Sequence, residues 1–175
     1  LLGMEQSPFK ERIELIKAYP AQIAQALLDD TIDIGLVPVA VMPLLKHPQL
    51  VSKYVIGTEG EVASVALFSQ VPMDQIEKVY LDYQSRTSVA LAKILFKQFW
   101  KKEVEFLNAT EGYINQINGN TAGIIIGDRA LVSLDKFEHI YDLGLAWKAY
   151  SGLPFVFAAW VANKPIPLEF IEAFD

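Results

Sequence analysis

The order of hydrophobic and polar residues at the start of the chain predicts a strand, a helix and a second strand. Residues 12–18 alternate between apolar and polar, as a half-buried strand does. Pro20 ends that alternation and suits the first turn of a helix, where its missing N–H needs no partner. Apolar residues then recur at helical spacing as far as Asp29 and Asp30, and 32–37 form a short buried strand. This order predicts a parallel α/β unit.

Short strands and helices alternate along the rest of the chain as well. Strands are predicted over 54–56, 62–68, 78–83, 104–107, 122–126 and 154–162. Helices or helical turns are predicted over 39–45, 74–77, 85–99, 111–117 and 168–174, with a short helix from residue 129. This rhythm is typical of a chain that leaves one α/β lobe, builds a second lobe and returns to the first.

The same rhythm predicts where the chain changes lobe. We place the two crossings near Ser69 and near Gly152. Residues 1–68 and 154–175 then form a discontinuous first lobe, and 69–153 form an inserted second lobe. Ligands of α/β sheets bind outside the carboxyl ends of the strands, and in a two-lobe protein these ends face the cleft. The pattern therefore predicts a ligand cleft between the lobes.

Composition excludes several classes of function. Hydrophobic residues make up 52% of the chain and charged residues 21%, which is typical of a soluble protein with a sizeable core. The net charge is −6, and the regularly spaced Lys93, Lys97 and Lys101 fit the solvated face of one helix, so we expect no nucleic-acid partner. Cysteine is absent and only two histidines occur, so we expect no metal. The longest apolar run, 153–162, is too short to cross a bilayer.

The strongest candidate for chemistry is the segment Ser85, Arg86, Thr87 and Ser88, where a predicted strand ends and a helix begins. A helix N-terminus offers unpaired N–H groups and a partial positive charge, which suit a carboxylate or phosphate. Ordinary N-capping favours the same residue types, so the two interpretations stand side by side.

Two further segments carry candidate ligand contacts. Gly127 and Asp128 follow an apolar strand; the glycine permits close approach of a ligand, and Asp128 is interpreted first as the N-cap of the next helix. Ser64 follows the glycine-rich segment 57–60 and is either a cleft residue or a buried strand residue. Aromatic residues near the returning strand either wall a ligand pocket or, more commonly, belong to the core: Trp147, Phe155, Phe157 and Trp160.

Five strings of the sequence resemble the chorismate dehydratase family of the futalosine pathway of menaquinone biosynthesis. They are DIGLVPVAVMPLL (33–45), GEVASVALFS (60–69), SRTSVALAKILF (85–96), IGDRAL (126–131) and DLGLAWKAYSGLPFVFAAW (142–160). The resemblance runs over nearly the whole chain, and the last string is the most specific. It implies an α/β, two-lobe, periplasmic-binding-protein-like (type 2) fold, with three-layer α/β/α lobes and a ligand cleft between them.

The resemblance also implies an activity. It indicates a cytoplasmic hydro-lyase that removes water from chorismate and yields 3-[(1-carboxyvinyl)oxy]benzoate. The expected partner is this small dicarboxylate, with no metal or organic cofactor, no nucleic acid and no membrane. A closed, dry cleft that holds both carboxylates suits such an elimination.

The resemblance assigns roles to residues of this chain. It implies that Ser85, Thr87 and Ser88 bind a substrate carboxylate and that Ser64, Gly127 and Asp128 face the same cleft, with Pro38 and Val39 as weaker candidates and Arg86 as either a counter-charge or a surface residue. The active-site Asn of the family lies in a Tyr-Leu-Asn segment that this sequence does not contain. We therefore expect the N- and C-terminal parts of the family to be missing and assign no catalytic base; Asp128 and Glu59 are the nearest carboxylates by motif.

Two alternatives remain open at this point. One is the related enzyme of the same pathway that forms 1,4-dihydroxy-6-naphthoate. The other is a non-catalytic solute-binding protein or sensor domain that binds a small carboxylate. The fold does not distinguish them, because the same scaffold serves both binding and catalysis.

Overall fold

Two β-sheets organise residues 11–174, the part of the chain that the computed structural model describes. The first sheet has three strands in the order β1-β8-β2, with β1 at Ile34–Pro38, β2 at Gln49–Thr58 and β8 at Phe155–Ala162. The second has five strands in the order β5-β4-β6-β3-β7: β3 at Val65–Ser69, β4 at Lys78–Leu81, β5 at Glu105–Asn108, β6 at Thr121–Ile126 and β7 at His139–Asp142.

Helices connect these strands. The α-helices are α1 (Pro20–Leu28), α2 (Arg86–Ile94), α3 (Asp128–Leu131), α4 (Leu143–Ser151) and α5 (Leu168–Phe174). A π-helical turn, Leu95–Phe99, continues α2. Short 3₁₀ helices occupy Val39–Leu44, Met73–Gln75, Tyr113–Gln116 and Leu134–Lys136. The predicted helix start at Pro20 and the predicted final helix are confirmed.

The five-stranded sheet is covered on both faces. Alternate residues of β3 point to opposite sides, so that Val65 and Leu67 pack with α2 in one core while Ala66 and Phe68 pack in another. In the three-stranded sheet, Ala159 and Val161 of β8 contact α1 residues, whereas Trp160 packs edge-on against Phe174 of α5. Both sheets therefore have helices on two faces, which gives the predicted three-layer α/β/α arrangement.

The predicted strand over 12–18 is wrong. Residues 13–19 have no regular secondary structure, and Ile16 is half exposed. Ile16 occupies what would be the polar side of that strand, so the alternation is imperfect and neither face is fully apolar. The parallel unit inferred from it is wrong too, because β1 pairs antiparallel with β8 in the register Ile34↔Ala162.

The chain changes sheet earlier than predicted. Strand β3 belongs to the five-stranded sheet, so the first crossing lies between Thr58 and Val65 rather than after β3 near Ser69. The second change of sheet falls between Ser151 and Phe155, around Gly152. Strand β7 and helix α4 were not predicted. The strand is short, lies at the edge of the sheet and is polar at both ends, so its alternation is weak.

Candidate functional site

The predicted site residues of the five-stranded sheet lie at one edge of it. Strand β4 is parallel to β5 and to β6, so the three carboxyl ends meet there. Strand β3 is antiparallel to β6 and begins at that edge, immediately after Ser64. The Ser85–Ser88 segment follows β4, and Gly127 and Asp128 follow β6. Residues from three distant parts of the chain are thus brought to one place.

The end of β1 reaches the same edge from the other sheet. Pro38 is the last residue of β1, is buried, and leads into the 3₁₀ helix that begins at Val39. The backbone N–H of Ala40 donates to Thr87 Oγ1 at 3.4 Å. The carboxyl end of β1 therefore contacts the start of α2, as expected for a cleft between two sheets.

Ser85 is the N-cap of α2. Its Oγ accepts from the Ser88 backbone N–H at 3.1 Å and lies 2.8 Å from Ser88 Oγ. The capping interpretation is therefore confirmed. It leaves the backbone N–H groups of Arg86 and Thr87 without a partner among residues 11–174, so the helix start keeps donors for an anion.

The neighbours of Ser85 differ sharply in exposure. Thr87 is 3% exposed and Ser88 is 2% exposed, whereas the side chain of Arg86 is on the surface. Thr87 Oγ1 already accepts from Ala40, which leaves its hydroxyl hydrogen for a second partner. Of the two roles considered for Arg86, the surface role fits this placement.

The turn after β6 depends on Gly127. Its φ of 64° and ψ of −149° suit glycine, and its backbone N–H donates to the Ser64 carbonyl at 2.8 Å. The prediction that Asp128 caps the next helix is wrong. Gly127 occupies the cap position, and Asp128 is the first residue of α3, with an exposed side chain.

A buried carboxylate, which the sequence analysis missed, joins three of the loops at this edge. Asp82 Oδ1 accepts from the Gln84 backbone N–H at 2.8 Å. Its Oδ2 lies 2.8 Å from both Tyr113 Oη and Arg129 Nη2, and the Asp82 side chain is fully buried. The signals available in the sequence were an aspartate near the end of the predicted strand 78–83 and an arginine, Arg129, within the string IGDRAL.

Burial raises the pKa of the Tyr113 phenol far above its ordinary value, and the charge and hydrogen bond of Asp82 add to this rise. Tyr113 is 1% exposed. Its Oη also lies 2.5 Å from the Ile124 carbonyl oxygen, so its one proton faces two acceptors. The folded protein therefore keeps this phenol protonated at pH values where an exposed tyrosine loses its proton.

We expect this tyrosine to make the fold sensitive to alkali. Below pH of about 10 the phenol is protonated in both states, so its contribution is fully present. Above that pH only the unfolded chain releases the proton, so stability falls as pH rises. Between pH 10 and 11, urea unfolding should show about 1 kcal/mol more loss for the natural protein than for Tyr113→Phe. Equal losses would contradict this expectation.

Asp142 fixes the segment that precedes Ser64. Its Oδ2 accepts from the backbone N–H groups of Val62 and Ala63 at 2.9 and 2.7 Å, and its Oδ1 accepts from Leu145 as the N-cap of α4. Ala63 has a φ of 52°, which is unusual for a residue with a side chain. This carboxylate therefore ties the first crossing segment to the start of α4.

A small apolar cavity of about 190 Å³ lies where the two sheets approach. Trp147 and Phe155 contribute to its wall, so two of the four aromatic residues considered for a pocket lie there; the cavity is lined by Val39, Ala40, Thr87, Ala90, Leu91, Ile94, Trp147 and Phe155. Phe157 packs on Phe155, and Trp160 lies on the far face of β8 against α5.

The remaining predictions concern Glu59, metal ions and membrane-spanning helices. Glu59 is largely exposed and lies 3.5 Å from Lys148 Nζ in an ion pair. Among residues 11–174, no group of His, Cys, Asp and Glu could hold a metal ion. Within the same residues, no helix is both long and apolar enough to cross a membrane.

Comparison with known structures identifies the fold. A solved structure from Archaeoglobus fulgidus is similar with a TM-score of 0.69 and 12% identity, covering 98% of this chain and 67% of that one. A second solved structure, described as an ABC transporter from Parabacteroides distasonis, is similar with a TM-score of 0.56 and 14% identity. This similarity covers 95% of this chain and 63% of that one. The predicted type 2 periplasmic-binding-protein-like fold is confirmed by this likeness and by the two-sheet architecture.

Comparison of sequences identifies the family. A curated chorismate dehydratase of Thermus thermophilus is 28% identical over 193 aligned residues, which cover 93% of this chain and 67% of that protein. The chain thus spans about two thirds of the length of this relative. A family model described as menaquinone biosynthesis matches residues 2–175. This match shows that the chain belongs to the menaquinone biosynthesis family.

Proposed function

We propose that this protein is a chorismate dehydratase, a hydro-lyase of menaquinone biosynthesis by the futalosine route. The observation that carries the proposal is the likeness to the Thermus thermophilus chorismate dehydratase over 93% of the chain. The proposed reaction yields 3-[(1-carboxyvinyl)oxy]benzoate and water, and we propose a cytoplasmic location for it. The anion-binding helix start at the sheet edge supports a carboxylate substrate.

The reaction defines what the site must supply. A C–H bond breaks at the ring carbon that bears the enolpyruvyl ether, and the C–O bond of the neighbouring hydroxyl breaks. The electron pair of the C–H bond forms the new ring double bond, and the proton and the hydroxide leave as water. Aromatisation of the ring drives the reaction. The protein therefore has to hold a dianion, accept a proton and assist the departure of hydroxide.

The start of α2 supplies the first of these functions. Its unpaired Arg86 and Thr87 N–H groups point out of the helix end, where the partial positive charge attracts a carboxylate. The Thr87 hydroxyl hydrogen provides a directional donor. Ser85 caps the turn, and Ser88 Oγ, which accepts from Ser85 Oγ at 2.8 Å, keeps its own hydrogen as a second donor to the carboxylate. Burial of Thr87 and Ser88 keeps water away and strengthens these contacts.

The other edge residues would enclose the substrate. Ser64 and Gly127 are held together by a backbone hydrogen bond, and Pro38 of the first sheet lies two residues before Ala40, whose N–H contacts Thr87. Asp128, the exposed first residue of α3, follows Gly127 at this edge and is the candidate proton acceptor of the proposal. Chemistry of this kind requires no metal, so none is invoked.

The direct test is chorismate consumption by the product of the complete gene, with mass spectrometry for a product lighter by one water. Dehydration would support the proposal. Intact chorismate together with turnover of cyclic dehypoxanthine futalosine would indicate the related naphthoate-forming enzyme instead. Binding of a small carboxylate without any turnover would indicate a solute-binding protein.

Removing one buried hydroxyl at the start of α2 should weaken catalysis. Thr87→Val and Ser88→Ala are each expected to lower kcat/KM for chorismate by about tenfold or more, because a buried charged ligand would lose a hydrogen bond. Thr121→Val, the same replacement at the opposite edge of the sheet, is the matched control and should change kcat/KM less than twofold. Similar losses in all three variants would count against a carboxylate site here.

A further inference from the structure

The Arg129 side chain is held in one orientation by several contacts. Its Nη2 lies 2.8 Å from Asp82 Oδ2 and 2.9 Å from Gln84 Oε1. The guanidinium also lies 5.3 Å from the ring centre of Tyr83. Two hydrogen bonds and a ring contact restrict a side chain that would otherwise lose considerable entropy on binding a ligand. Arg129 is therefore preorganised.

Arg129 still has donors to offer. The two bonds use the hydrogens of Nη2, and the structure records no acceptor for those of Nε and Nη1 among residues 11–174. The side chain is 29% exposed, whereas the Asp82 side chain behind it is fully buried. A ligand approaching this side would meet the guanidinium while the carboxylate stays out of reach. A planar guanidinium suits a carboxylate, which accepts two parallel hydrogen bonds.

Two connections link Arg129 to the candidate site. It follows Gly127 by two residues, and the Gly127 amide bonds the Ser64 carbonyl. Through Asp82 and Gln84 it is linked to the loop that leads directly into α2. Arg86 lies at the same edge, but it is exposed, and no hydrogen bond or ion pair to another residue of 11–174 holds its side chain. Arg129 is thus the better-positioned cation.

We propose that Arg129 binds the second carboxylate of a dianionic substrate, with Asp82 as the positioning residue that holds the guanidinium. The inference rests on the proposed function, in which the start of α2 takes the first carboxylate. Two separate anion sites at one edge would select a dicarboxylate over a monocarboxylate. Arg129 would then determine specificity without taking part in proton transfer.

The test compares two ligands that differ by one carboxylate. Calorimetry would measure Kd for 3-[(1-carboxyvinyl)oxy]benzoate and for 3-(vinyloxy)benzoate, which lacks the side-chain carboxylate. The product of the complete gene should prefer the dicarboxylate by about tenfold or more. In the double variant Asp82→Asn/Arg129→Gln, which removes both charges together, this preference should fall below about twofold. Kd for the monocarboxylate should change less than about threefold.

Two further variants keep the test decisive. Arg129→Lys retains a positive charge beside Asp82, so it protects folding while removing the paired donors, and it should lose most of the preference. Lys97→Gln removes one charge from an exposed helix face and should retain the preference. Circular dichroism would confirm that every variant is folded.

The outcomes separate the inference from the proposed function. A preference that survives in Asp82→Asn/Arg129→Gln, or equal weakening for both ligands, would overturn the role of Arg129 even if chorismate is dehydrated. If the natural protein prefers the dicarboxylate and Asp82→Asn/Arg129→Gln loses that preference, but chorismate is not dehydrated, only the proposed reaction would be overturned. A protein that binds neither ligand would overturn both.

Discussion

Replacing Asp82 with alanine is expected to lower the free energy of unfolding by about 3 kcal/mol. The change leaves a buried cavity and removes the acceptor of three donors, namely the Gln84 amide, the Tyr113 hydroxyl and the Arg129 guanidinium. Removing one partner of a buried ion pair costs about 3–5 kcal/mol, and the lower end applies because Arg129 keeps some contact with water.

Urea unfolding monitored by tryptophan fluorescence would measure this loss. Asp82→Asn keeps the shape and one oxygen acceptor, so it should cost less than Asp82→Ala. Asp135→Ala, at an exposed aspartate in a 3₁₀ helix, is the control and should change stability by less than about 0.5 kcal/mol. If Asp82→Ala lowers the free energy of unfolding by less than about 1 kcal/mol, the three donors form hydrogen bonds with water in place of the carboxylate.

The second large effect is expected for Gly144→Ala in the first turn of α4. A methyl group at Gly144 would overlap the carbonyl oxygen of Gly60 and come within 2.7 Å of Thr58 Cγ2. Backbone cannot yield as a flexible side chain does, so α4 and the first crossing segment must separate. Forcing them apart costs about 1–3 kcal/mol and strains the hydrogen bonds that the Val62 and Ala63 N–H groups donate to Asp142.

The effect of Gly144→Ala should reach the candidate site, because the displaced segment leads directly to Ser64. We expect kcat/KM for chorismate to fall by about tenfold together with the melting temperature. Gly60→Ala is the matched control on the other side of this contact, since no atom lies within 4 Å of the added methyl. If Gly144→Ala and Gly60→Ala have the same melting temperature and the same kcat/KM, the close approach of the two backbones contributes neither to stability nor to catalysis.

Local signals in the sequence were sufficient for the elements that line the site. Pro20 marks a helix start, and Ser85 marks another through its capping chemistry. Gly127 follows an apolar strand, and its conformation requires glycine. That Ser64, Ser85–Ser88 and Gly127 face one cleft was implied by the family resemblance and did not follow from these local signals, which left a buried strand position open for Ser64.

The parts that sequence reasoning missed depend on contacts between distant segments. Asp82, Tyr113 and Arg129 look like ordinary strand-end and helix residues, and only the fold places them around one carboxylate. The role of Asp142 is equally invisible, because its partners Val62 and Ala63 lie about eighty residues earlier. The error at 12–18 has the opposite origin, since the local alternation suggested a strand where the described residues provide no partner strand.

The shared acceptor at Asp82 also restricts how this sequence can change over evolution. A substitution at position 82 leaves the hydrogen-bond donors of Tyr113 and Arg129 without their acceptor. A substitution at position 113 or 129 leaves the buried Asp82 carboxylate with fewer contacts. Each single substitution therefore lowers the stability of the fold. Replacement of all three residues together by well-packed apolar residues need not lower it. Positions 82, 113 and 129 are therefore expected to change together among related sequences. In particular, a relative with an apolar residue at position 82 should lack the arginine at position 129.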